Sequence, residues 1–96
     1  MADSRFNWDP EKDAENQRKH GVSFNRAQYA FADPQRVIAR DASHSQAEDR
    51  FYCFGEVDGG VLTVRFTHRA SVIRIIGAGF WRKGKAAYER ENKLHE

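Results

Sequence analysis

Residues 50–78, RFYCFGEVDGGVLTVRFTHRASVIRIIGA, hold three β-rich runs, Arg50 to Val57, Val61 to Thr67 and Val72 to Ala78. Between them stand Asp58-Gly59-Gly60 and His68-Arg69-Ala70-Ser71, and an Asp-Gly or Gly-Gly step between β-rich runs is a strong local signal for a hairpin. In the middle run Leu62, Val64 and Phe66 alternate with Thr63, Arg65 and Thr67. A strand with that alternation turns an apolar face one way and a guanidinium with two hydroxyls the other. The spacing predicts an antiparallel meander with one polar face.

Upstream, Asp9-Pro10-Glu11-Lys12 supplies a capping carboxylate, a proline at the first helical position and acid in the first turn. A helix is expected from Pro10 to Lys19 or His20, closed by Gly21. Ser23 caps a second predicted helix, whose face of Phe24, Ala27, Tyr29, Ala30 and Phe31 ends at Asp33-Pro34. Arg36 to Arg40 reads as a brief strand and Asp41 to Asp49 as a polar loop holding His44. Lys83 to His95 reads as a charged helix with Glu89 and Lys93 spaced for an i,i+4 pair. Arg5 to Trp8 carries no clear signal of either kind.

With 96 residues the expectation is one domain, 1–96, of the α+β class. Hydrophobic residues make up 40% of the chain and twelve of its residues are aromatic, enough for a single core. The lone cysteine, Cys53, excludes an internal disulfide or a multi-cysteine zinc site, and its apolar neighbours make it a core residue. The longest apolar stretch, Ile75 to Trp81, has seven residues against the roughly 20 a bilayer needs. The amino terminus also lacks the order of a signal peptide, so a cytoplasmic protein without membrane contact is expected. Charge is uneven: residues 1–48 carry 7 basic and 8 acidic side chains, residues 49–96 carry 9 and 6. From Val61 to Lys85 stand Arg65, Arg69, Arg74, Arg82, Lys83 and Lys85 without one Asp or Glu.

Clustered cations attract nucleic-acid phosphate and release its counterions, so an RNA-binding face is plausible beside the plainer reading of solvated arginines. His20, His44, His68 and His95 are each candidates for proton transfer, although a surface or capping role is the commoner fate of any one histidine. Cleaving RNA without a metal needs a base for the 2′-hydroxyl proton, cations around the phosphate and an acid for the leaving oxygen. Lysine, arginine and histidine supply all three, and no metal-ligand spacing is present, so neither metal nor cofactor is expected. Trp8, Tyr29, Phe80 and Trp81 are candidate base platforms, with the core as the alternative for each.

The chain resembles the BrnT family of toxins from type II toxin–antitoxin pairs. The resemblance lies in Phe6-Asn7-Trp8-Asp9-Pro10-Glu11-Lys12, Asn16, Lys19-His20-Gly21-Val22-Ser23-Phe24 and Phe31-Ala32-Asp33-Pro34. It continues through Asp41, His44-Ser45, Glu48-Asp49-Arg50-Phe51, Gly55, Thr67, Arg69 and Arg74-Ile75-Ile76. It implies a RelE-like fold with two N-terminal helices packed on a small antiparallel sheet and a C-terminal helix. It also implies an endoribonuclease that arrests translation and is neutralised by a BrnA-type antitoxin. Two toxins would join two antitoxins, and operator DNA would be read through the antitoxin. The end of the chain departs from the family: Gly79 stands for a customary arginine, Trp81-Arg82 for an Ala-Thr pair and Lys85 for an acid. His68 stands where Glu is frequent, and Arg65 where the family is more often apolar.

On this reading Lys19, His20, Arg69 and Arg74 form the catalytic set and converge at one end of the sheet. Proton transfer falls to Lys19 or His20, and the scissile phosphate to the arginines. Trp8, Arg50 and Arg82 support RNA binding. Two other functions are carried alongside. One is a RelE-like protein weakened in catalysis that acts mainly as an antitoxin-binding co-repressor; the other is a non-toxic nucleic-acid-binding module.

Overall fold

The structure, a computed structural model, describes residues 5–44 and 47–93. Its elements in chain order are β1 (Phe6–Asn7), α1 (Pro10–His20), α2 (Phe24–Ala27), β2 (Val37–Arg40), β3 (Arg50–Val57), β4 (Gly60–Arg69), β5 (Val72–Gly79) and α3 (Arg82–Asn92). A 3-10 turn, Gln28–Ala32, continues α2, and another, Ala42–His44, follows β2. The class is α+β, and the five strands lie in the order β1-β5-β4-β3-β2.

Helix α1 starts as its residues require: the Asp9 carboxylate accepts the Glu11 N–H at 2.9 Å, Pro10 is the first helical residue, and Gly21 closes the helix at φ 70°. Asp13 then accepts the Phe24 N–H at 2.9 Å and Ser23 Oγ accepts the Arg26 N–H at 3.1 Å, so α2 starts directly off α1. The second helix is shorter than its apolar spacing suggests. It tightens to 3-10 winding where the Ala30 carbonyl lies against Gly55 of β3.

The meander from Arg50 forms with shorter turns than expected. Val57 pairs with Gly60 and Arg69 with Val72, so each hairpin has a two-residue loop, Asp58-Gly59 and Ala70-Ser71. All four loop residues have positive φ, the condition for the turn that matches strand twist. The expectation of a wholly antiparallel sheet needs correction. Phe6 and Asn7 pair in parallel with Ile73 and Arg74, tied by the Ile73 N–H to the Arg5 carbonyl at 2.8 Å and by the Phe6 ring on Phe31 at 5.2 Å. The free length of β5 beyond β1 is closed by a side chain. Asn16 of α1 donates to the Ala78 carbonyl (2.9 Å) and accepts the Ala78 N–H (3.2 Å), as a neighbouring strand would, while also donating to the Val22 carbonyl (2.9 Å).

Leu62, Val64, Phe66, Cys53, Ile75 and Ala78 bury one sheet face against Val22, Phe24, Ala27 and Ala30. Burying a large apolar side chain contributes about 1.5–3 kcal/mol, so this face holds the fold together. Burial also pushes the Cys53 thiol up to about 12, which fits its core role. Helix α3 crosses the opposite face at one end, with Gly84 on Thr63 and Phe54; a Cβ there would collide with Thr63 Oγ1. Tyr88 secures α3 by donating to Asp33 at 2.6 Å. The helix ends at Asn92 because Lys93 turns left-handed at φ 54°. Glu89 therefore pairs with Lys85 at 3.5 Å instead of with Lys93, and His95 lies outside the described residues.

Candidate active site

The polar sheet face that α3 leaves uncovered is built by strand alternation. Register places Arg50, Thr67, Arg74 and Asn7 in one row across β3, β4, β5 and β1. Tyr52, Arg65 and Gly77 form the next row. With strands about 4.8 Å apart, the Arg50 and Arg74 backbones stand roughly 10 Å from each other across Thr67. Thr67 is 1% exposed and donates to the Asp49 carbonyl at 2.6 Å, which ties the chain ahead of β3 to the middle of the row. The Arg74 guanidinium donates to Asn7 Oδ1 at 3.2 Å, and the Arg65 stem lies over Gly77.

Glu48 stands among these cations. Its carboxylate accepts both Nε and Nη2 of Arg69, at 3.3 and 3.2 Å, and lies 4.0 Å from Arg50. The hydrogen bonds from Arg69, and then the charges of Arg69, Arg50 and Arg74, hold the Glu48 carboxyl below its ordinary value. A fork on a carboxylate is the same geometry that holds a phosphate. Arg69 and Glu48 are both partly solvated, so the pair contributes little to stability.

At the β2 end of the same face, the Asp41 side chain is 5% exposed and gathers donors from two elements. Ser43 Oγ donates to it at 2.8 Å, His44 Nδ1 lies 2.9 Å from it, and the Tyr52 hydroxyl donates from β3. Burial alone would raise the Asp41 carboxyl, but these hydrogen bonds outweigh it and hold the group below its ordinary value. The Tyr52 hydroxyl is pushed up by burial and by Asp41. The Asp41 N–H bonds the Arg50 carbonyl at 2.7 Å, joining this group to the arginine row.

Of the residues expected to act, the fold brings Arg50, Arg69 and Arg74 together and sets the others apart. Lys19 is exposed at the end of α1 and pairs with Glu15 at 3.2 Å. His20 meets the Trp81 ring edge-on at 5.2 Å, just before Arg82 opens α3. Trp81 lies over Gly79, five residues of β5 beyond Arg74, or roughly 16 Å along the strand. The expected convergence of Lys19 and His20 with Arg69 and Arg74 is therefore not what the fold gives, because α1 runs along β5 and ends at its far end. Trp8 packs against the core, edge-on to Phe24 at 6.2 Å. The departures at Gly79 and Trp81 occupy one space: any side chain at position 79 would strike the Trp81 indole.

Glu48, Asp41 and Tyr52 are groups of the site to which the sequence assigns no role, whereas Arg65 belongs to the acid-free cationic run from Val61 to Lys85. Arg65, Thr67 and Arg69 share a strand face by simple alternation, and that signal was available. Glu48 and Asp41 reach the site from a loop whose path no periodicity encodes. Among the described residues no three His, Cys, Asp or Glu side chains gather as a metal-ligating group, and no helix is long and apolar enough to cross a membrane.

The fold is α+β, and it gathers Arg50, Arg69 and Arg74 on one sheet face. The chain belongs to the BrnT family: the family profile described as "Ribonuclease toxin, BrnT, of type II toxin-antitoxin system" matches residues 8–84. Membership in a type II pair implies an antitoxin partner. No curated protein matches the chain.

Proposed function

We propose that this chain is an endoribonuclease toxin of RelE-like fold, residues 1–96 acting as one cytoplasmic unit, which cleaves RNA without a metal and thereby arrests translation. The observation that carries the reading is the row of Arg50, Thr67 and Arg74 with Arg69 beside it, where Glu48 occupies the place a phosphate would take. In the reaction the RNA 2′-oxygen attacks the adjacent phosphorus and loses its proton, and the bond from phosphorus to the 5′-oxygen breaks. A 2′,3′-cyclic phosphate remains on one product, and the departing 5′-oxygen takes up a proton. Arg69 and Arg74 hold the phosphate oxygens as charge builds, and Arg50 binds the strand. Lys19 and His20 at the end of α1, and Arg82 at the start of α3, take the continuing RNA strand as a second cationic contact, with His20 against Trp81. Trp8 is left to the core.

A BrnA-type antitoxin silences the site by covering the arginine face, two toxins with two antitoxins, and operator DNA is read by the antitoxin. The test is incubation of purified toxin with single-stranded RNA, with and without chelator and with added antitoxin, beside induction of the gene in cells. Cleavage that resists chelator and stops on antitoxin addition, with growth arrest, supports the reading. Chelator-sensitive cleavage overturns the metal-free step, and absence of cleavage overturns the enzyme. A co-repressor of weakened activity is the second reading, favoured by Trp81 filling the space over Gly79, where the family's customary arginine would stand.

A further inference from the structure

The arginines bind an anion, but a guanidinium stays protonated and cannot take the 2′-hydroxyl proton. The face must hold another group for that step. His44 stands at its β2 end, in the turn that begins at Asp41, and its ring is oriented by the carboxylate of a residue 5% exposed. Asp41 takes three side-chain donors, from Ser43, His44 and Tyr52, the last reaching across from β3. With its proton directed at Asp41, Nδ1 leaves Nε2 as the basic nitrogen, and the His44 side chain is 55% exposed. Position ties the pair to the phosphate row: Asp41 is hydrogen-bonded through its backbone to Arg50, and Tyr52 is the register partner of Arg65.

We infer that His44, oriented by Asp41, is the general base of the arginine face. Resting on the ribonuclease reading above, the step runs as follows. His44 Nε2 removes the 2′-hydroxyl proton, the 2′-oxygen forms its bond to phosphorus, the 5′-oxygen leaves, and water supplies the proton that oxygen needs. The imidazolium so formed is stabilised by Asp41, a positioning residue, before it returns its proton to water. The charged and titratable groups on the neighbouring elements are Tyr52 and Arg50 of β3, Glu48 and Asp49 ahead of that strand, Arg65, His68 and Arg69 of β4, Arg74 of β5 and Arg40 of β2, which is paired to Asp49 at 3.0 Å. His68 is also exposed, but its ring lies edge-on to Phe51 and Phe66, at 5.7 and 5.6 Å, on the core side of β4, so among the described residues His44 is the imidazole at the arginine face.

The test uses the full-length toxin free of antitoxin and a mixed-sequence single-stranded RNA, with single-turnover cleavage followed across pH 5 to 9. His44→Ala is expected to lose about 100-fold or more in rate. Its RNA affinity should stay within about threefold, the acid limb of the pH profile should vanish, and added imidazole should restore part of the rate. Asp41→Asn is expected to slow the cleavage step while RNA affinity stays within about threefold, because the ring loses the acceptor that orients it. A His44→Ala protein that cleaves at the wild-type rate overturns the inference, as does one that is slow but keeps the acid limb and ignores imidazole. Wild-type protein that cleaves at no pH instead overturns the ribonuclease reading itself.

Discussion

Replacing Arg74 by alanine separates the anion-holding role of the arginine row from any role in the fold. In the folded protein its guanidinium donates to Asn7 Oδ1, at 3.2 Å on an exposed rim. Truncation should therefore lower stability by no more than about 0.5 kcal/mol. Against a phosphorane-like transition state, loss of one preorganised cationic donor removes about 2–4 kcal/mol of stabilisation, roughly 30- to 1,000-fold in rate. RNA affinity should fall uniformly across sequences, and its dependence on log salt should lose about one unit of slope. Arg74→Lys keeps the charge but not the fork, so an intermediate rate is expected. The assay is single-turnover RNA cleavage at two salt concentrations beside a thermal melt. A rate within about threefold of wild type, with the salt slope unchanged, refutes the placement of the scissile phosphate on this row.

Asn16→Ala should cost about 2–4 kcal/mol in denaturant unfolding, because it strips partners from the Ala78 N–H and carbonyl and from the Val22 carbonyl in a buried place. An unchanged midpoint would contradict the strand-edge role. Ala70 and Ser71 hold φ of 50° and 72° without being glycine, so Ala70→Asn with Ser71→Gly should raise stability by about 0.5–1.5 kcal/mol, read from the same titration. The Tyr88 hydroxyl, buried and bonded to Asp33, is pushed up to about 12, so its contribution is complete below about pH 10 and fades as pH rises toward 12. Asp33 and Asp41 are held below their ordinary values, so their contribution is present above about pH 4 and fades as pH falls through the lower folded values. Thermal melts against pH should show both limbs; Tyr88→Phe should flatten the alkaline one and, by removing the hydrogen bond that helps hold Asp33 low, weaken the Asp33 part of the acid one, leaving that of Asp41.

Local chemistry made much of this legible from sequence. The caps at Asp9 and Ser23, the stop at Gly21 and the alternation along β4 are short-range signals, and each appears where its residues predict. Strand β1 was not legible, since two residues earn their pairing only from Ile73 and the Phe31 ring, both distant in the chain. For the site, Arg69 and Arg74 are legible as neighbours because they flank one hairpin, whereas the place of Arg50 beside them depends on the β3–β4 register, which the sequence does not fix because its turns read one or two residues too long. Lys19 and His20 were misplaced because sequence does not tell which way a helix runs along an edge strand. Asn16 decides that direction here, and a lone asparagine in a polar helix gives no sign that it will mimic a strand. Asp41 and Glu48 were passed over for the opposite reason: they lie in a segment of ordinary loop composition and act only once β2 and β3 are paired.

The account rests on RNA lying across the open sheet face, and amide NMR of the free toxin titrated with a 2′-deoxy, uncleavable analogue of a single-stranded RNA tests that most directly. The shifts should concentrate at Arg50, Tyr52, Arg65, Thr67, Arg69 and Arg74, with a second, weaker group at His20, Trp81 and Arg82. Shifts confined to α1, α2 and the surface above the buried core, with the arginine row silent, would contradict it.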